Sequence, residues 1–186
     1  MRCSPLRQLP RLLMLAAVLL AFTAAARASL VYYMLAVPDA RARVLSSDAE
    51  ALSTELFSSG PDKLYLDKAW HGVHWLLSGS AGTNSQRLSH LIMGGRDLPV
   101  QLPYGKPRMH TAQEVQEFAR LLDALTDADL AARFDPAAMD SAQIYPEDWV
   151  EDKDEALSYL LDNLRELRAF VRAAARSNLA IISAWS

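Results

Sequence analysis

The sequence is nearly without cysteine. Cys3 is the single one among 186 residues, and it falls in an N-terminal segment that reads as removable. The chain beyond that segment has no thiol nucleophile, no disulfide staple and no cysteine-ligated zinc. Glycine is scarce as well, at 7 residues. Those at 79, 82, 94, 95 and 105 fit neither a phosphate-binding loop nor a dinucleotide fingerprint. No G-x-S-x-G elbow occurs, so a hydrolase serine of that kind is excluded. The acidic run "EDWVEDKDE" (Glu147 to Glu155) lacks the glycine turn that a calcium loop needs. No cofactor or metal motif is left.

What is present begins with a leader. "MRCSPLRQLPR" carries three arginines and no acid; "LLMLAAVLLAFTAAA" (Leu12 to Ala26) is apolar apart from Thr23, and "ARA" closes it at Ala28. A basic start, a short apolar core and an A-x-A end make a secretory signal peptide, residues 1–28. The run is shorter than the roughly 20 apolar residues of a membrane span. The expected location of the remainder, residues 29–186, is therefore periplasmic or secreted. An uncleaved leader would instead tether it to a membrane, and a misassigned start codon would leave it cytoplasmic. Cleavage removes four arginines, leaving 15 basic against 22 acidic residues, a charge near −7. That sign is wrong for gripping a phosphate backbone, so nucleic acid is not expected as a partner.

The remaining 158 residues suit one domain with a self-sufficient core. "SLVYYMLAV" (Ser29 to Val37) and "LAIISAW" (Leu179 to Trp185) read as strands buried on both faces. Between them the pattern is mostly helical. Ser47 with Glu50 and Thr111 with Glu114 read as capping boxes; Asp67 reads as an N-cap, as does Asp135 before Pro136. The longest helix spans about 152–176, with an apolar stripe from Leu157 to Ala174 and arginines at its end. Two apolar strands bracketing helices predict an α+β domain, helix-rich, whose small sheet includes the first and last strands.

Several phrases, in order, resemble the YfbM-like family of bacterial proteins, a family of unknown function. They are "LDKAWHGVHWLLSG" (Leu66 to Gly79), Gly94-Gly95, "YGKPRMHTAQEV" (Tyr104 to Val115) and "FDPAAMDSAQIYPEDW" (Phe134 to Trp149). A long helix running into a short apolar strand completes the series. The resemblance implies a single α+β domain and brings with it no reaction, cofactor or catalytic residue. The chain departs from the usual family pattern in its leader.

Chemistry has one prominent place to look. In "LDKAWHGVHWLL", His71 and His74 lie three residues apart, with Asp67 one turn before His71. Rings so spaced can converge on a metal with a carboxylate beside them. H-x-x-H is, however, less specific than H-E-x-x-H, and position 72 is glycine. In the other reading both imidazoles are helix fillers, each pairing a ring N–H with a carbonyl. Folding is taken as their first role, and no metal site is assigned. Arg108 and Tyr104, in the irregular stretch before Thr111, suit a loop contact to an anion. The leading expectation is a non-enzymatic, exported binding protein that docks a basic protein partner, in the manner of an immunity protein or inhibitor. The alternative is a small-ligand binder or enzyme with a cleft around Asp67, His71, His74 and Arg108.

Overall fold

The computed structural model describes residues 29–186, and the expected leader lies outside them. Alternation along "YYMLAV" sends Tyr32, Met34 and Ala36 to one side of the first strand, β1 (Tyr32–Val37), and Tyr33, Leu35 and Val37 to the other. Both sides are packed, as the unbroken apolar run predicts. The last strand, β5 (Ala180–Trp185), lies antiparallel beside β1 over six residue pairs, from Tyr32 opposite Trp185 to Val37 opposite Ala180. Val31 and Ser186 exchange reciprocal backbone hydrogen bonds of 3.0 and 2.9 Å beyond that ladder. Three short strands complete an antiparallel sheet: β2 (Lys63–Tyr65), β3 (Arg96–Asp97) and β4 (Arg108–His110), in the order β2-β1-β5-β4-β3.

Helices cover both faces. On one lie α1 (Asp39–Leu45) and α2 (Ala49–Leu56), burying Leu45, Leu52 and Leu56 against Leu35, Val37 and Ile182. On the other lie α3 (Trp70–Ser78), the four-residue α4 (His90–Met93), α5 (Ala112–Asp123), α6 (Asp127–Ala131), α7 (Pro136–Ser141) and the long α8 (Lys153–Arg176). Leu160, Leu164, Leu167, Val171 and Ala174 of α8 form the stripe that meets Phe118 and Leu122 of α5. Arginines on the outer side of α8 are neutralised locally: Arg165 and Arg168 by Asp127 at 2.9 and 3.0 Å, and Arg172 by Asp123.

Local signals hold where they are strongest. Thr111 and Glu114 form the expected reciprocal box at the start of α5, and Asp135 caps α7 with Pro136 at its first position. Two expectations are corrected. Asp48, not Ser47, caps α2, accepting from the Ala51 N–H, while Ser47 turns back to donate to the Val44 carbonyl. Asp67 does not cap α3 either. It opens a 3₁₀ turn (Asp67–Ala69) in a left-handed conformation, φ 45°, with its carboxylate directed elsewhere.

Candidate functional site

Gly72 explains how "HGVH" sits in the core. A Cβ there would meet Leu160 Cδ2 at 2.6 Å and Trp149 Cη2 at 2.8 Å, so its absence lets α8 and Trp149 close on α3. That contact turns the two histidines toward the 79–85 loop. His71 Nε2 donates to the Ala81 carbonyl (2.9 Å), and His74 Nε2 donates to that of Gly82 (3.1 Å). A third ring, His90, reaches the Asn84 carbonyl at 3.1 Å. Three imidazoles thus hold one glycine-containing loop, with Ser78, Asn84 and Ser89 adding their own bonds to it.

His71 Nδ1 also accepts the Tyr145 N–H at 3.0 Å, which fixes the neutral tautomer protonated at Nε2. A second ring proton would face that N–H. Burial lowers the pKa of His71, against the pull of the Ala81 carbonyl. The pKa of His74, fully buried, falls to about 4 for the same first reason. Both rings are therefore neutral donors at ordinary pH. Among the described residues no group of three or more His, Cys, Asp or Glu could hold a metal ion.

The other candidates separate. The Asp67 carboxylate accepts the hydroxyls of Tyr65 (2.9 Å) and Tyr159 (3.0 Å). Burial and that bond push the Tyr65 hydroxyl up to about 12 and that of Tyr159 further, so both stay protonated donors. Arg108 lies across the sheet on β4, donating to the Met93 carbonyl at 2.6 Å and pairing with Asp97 at 3.5 Å. Its guanidinium sits 4.9 Å over the Trp185 ring. Trp185 meets Trp70 edge-on at 5.7 Å, and Trp70 stacks on His71 at 4.7 Å, so rings rather than a shared opening connect Arg108 to the histidines. Tyr104 is exposed on the turn between Leu102 and Gly105. The structure thus brings His71 and His74 together and gives Asp67, Tyr104 and Arg108 separate surroundings.

Asp67 is bonded instead to Tyr159, which lines a cleft that the sequence shows only as a charge run. Tyr159 joins Trp149, Glu147, Asp148, Asp152 and Glu155 around a hollow of about 230 Å³. The chain reaches it through a cis Tyr145–Pro146 bond, then runs left-handed at Glu147 (φ 77°) and Asp148 (φ 64°). Asp140 holds the next turn, its two carboxylate oxygens accepting the N–H groups of Trp149 (2.8 Å) and Val150 (3.1 Å). Trp149 is buried and donates its indole N–H to the Ile144 carbonyl at 2.7 Å. Of five non-glycine residues at positive φ among the described residues, Gln143, Glu147 and Asp148 lie in this loop, and Asp67 is bonded to Tyr159. Such conformations are uncommon and gather where the surrounding structure imposes them.

Comparison with known proteins gives a family and a fold. A family model described as a domain of unknown function (DUF1877) matches residues 25–184. Among curated proteins nothing matches. The chain is similar to the crystal structure of a protein of unknown function, YfbM from Escherichia coli, with a TM-score of 0.69 and 19% identity, over 84% of this chain and 99% of that one.

Proposed function

We propose that this chain, which belongs to the DUF1877 family of domains of unknown function, is a non-enzymatic binding protein that docks a basic protein partner through the cleft at Tyr159. The observation that carries the reading is the gathering of Glu147, Asp148, Asp152 and Glu155 around one hollow with Trp149 and Tyr159 in its wall. A lysine or arginine entering there would meet carboxylates on the rim and a ring face alongside. Asp148, Asp152 and Glu155 are exposed. Arg165, Arg168 and Arg172 of α8 are committed to Asp123, Asp127 and Asp162 instead. The exposed charge of Asp148, Asp152 and Glu155 is of one sign; it steers a partner of the other sign, and its pull falls away with salt.

The leader of residues 1–28 supports a place of action in the bacterial envelope, where an immunity or inhibitor role against a basic toxin or hydrolase would need such a face and no catalytic groups. The test is affinity capture from envelope extracts with wild type and with the triple variant Asp148→Asn, Asp152→Asn, Glu155→Gln. The expected result is a basic protein held by wild type at low salt and absent from the variant. Capture of nothing basic, or equal capture by both proteins, would end the docking reading.

A further inference from the structure

A second hollow, lined by none of the residues of the acidic cleft, holds two arginines and one aspartate. Most arginines in the described chain are engaged, as Arg41 is by Glu55 and Arg133 by the carbonyls of Leu76 and Leu77. Arg43 and Arg96 are different: among the described residues neither guanidinium has a hydrogen-bond or ion-pair partner, and both side chains line this hollow of about 320 Å³. Asp39 stands one helical turn before Arg43, yet the two form no ion pair.

The fold makes this convergence. Arg43 comes from the last turn of α1, which lies over the sheet. Arg96 comes from the edge strand β3, where it stands opposite Met109 of β4. Thr111, which caps α5 directly after β4, supplies the third side of the hollow, and Ala42 and Met109 its apolar part. Thr111 is committed to its capping box with Glu114, so the two guanidiniums are the donors that the hollow has free.

We propose that this hollow is an anion site, and that its ligand is a small dianion of the phosphate monoester class. Guanidinium forks match tetrahedral phosphate oxygens bidentately, and two forks with no internal carboxylate to satisfy them have their donors available. A hollow of this size lies at the small end of ligand pockets and suits a phosphate bearing a short organic group. Asp39 on the wall disfavours a ligand that is anionic throughout, and its carboxylate is placed to accept a hydroxyl of the organic part. The site is independent of the acidic cleft and survives the failure of the docking reading.

The experiment is calorimetric titration of the leaderless protein, residues 29–186, with inorganic phosphate and with glycerol 3-phosphate. Phosphatidylcholine vesicles doped with phosphatidic acid form a parallel arm. Wild type should bind glycerol 3-phosphate more tightly than phosphate. Arg43→Gln and Arg96→Gln should each weaken binding about tenfold, the loss of one charge-assisted pair, and together abolish it. Asp39→Asn should tighten inorganic phosphate but not glycerol 3-phosphate. Both arginines are exposed and unpartnered, so these variants should melt with wild type. Saturation by free phosphates without vesicle binding would assign the site to soluble ligands; vesicle binding that also needs both arginines would assign it to a lipid headgroup. Absence of binding in both arms, or binding unchanged in the double arginine variant, would overturn the proposal.

Discussion

Mild acid should open this fold, and two imidazoles set the window. His74 and His110 are fully buried, and burial lowers each from 6.5 to about 4. Around His74 the Gly82 carbonyl favours the charged ring, while His71 and His90 oppose it. Around His110, Glu114 and the Leu91 carbonyl favour charge, while Arg87 and His90 oppose it. Neither His110 ring nitrogen makes a hydrogen bond, so these attractions offset burial only in part. In the open chain each ring takes its proton near 6.5, and in the fold only near 4. Between those values the unfolded state holds more protons, so stability is complete above 6.5 and is lost as pH falls toward 4. At about 1.4 kcal/mol per pH unit, each ring accounts for about 3 kcal/mol over the window. Together they rival the whole stability of a small domain, about 5–15 kcal/mol. Glu114, Asp127 and Asp129 have lowered values too, but their loss comes below the ordinary carboxylate range of about 4. The assay is urea unfolding followed by tryptophan fluorescence at steps from about pH 7.5 to about pH 4.5. The variant His74→Gln with His110→Leu should flatten the profile above about pH 5. A wild-type free energy that stays within about 1 kcal/mol between about pH 6.5 and about pH 5 would refute the reasoning.

Three further outcomes are expected. Trp70→Ala removes a buried ring whose indole N–H holds the Leu30 carbonyl at 3.0 Å, and should destabilise by about 3–5 kcal/mol in chemical denaturation; an unchanged midpoint contradicts that packing. Gly72→Ala gains up to about 1 kcal/mol of helix propensity but drives a methyl into Leu160 and Trp149, an overpacking of about 1–3 kcal/mol. Its melting temperature should fall, and a rise would show that α3 and α8 have slack. Added zinc should leave the melting temperature of wild type and of His71→Ala/His74→Ala equally unmoved, since both Nε2 atoms are bonded to carbonyls. A zinc-dependent rise confined to wild type would make the pair a metal site after all.

The helices are legible where the signal is written in neighbouring residues. Thr111 with Glu114, Asp135 with Pro136, and the stripe of α8 each depend on positions within a turn or two of one another. The cap of α2 lies one residue beyond the expected one because both Ser47 and Asp48 can accept from a helix N–H, while the Ser47 hydroxyl can also donate and is spent on the Val44 carbonyl. Strands β2 and β3 leave no mark in the sequence, because three and two residues are too few to show a period. Of the candidate site, the pairing of His71 and His74 with backbone carbonyls can be expected from the sequence, but their shared loop cannot. The sequence offers Asp67 only its near neighbours, while its partner Tyr159 is 92 residues away. The same distance hides the cleft: the charge run is plain in the sequence, but the left-handed turn at Glu147 and Asp148 that folds it around Tyr159 has no glycine to announce it.

The seam between β1 and β5 has a bearing on biogenesis. It stitches Tyr32 to Trp185, so the middle of the sheet cannot close on any shorter nascent chain. A copy emerging from the ribosome is expected to stay pliable until its final strand is released. Stalled chains ending before Ala180 should accordingly be digested by protease along their length, and a resistant fragment among them would show that the helices can consolidate without the seam.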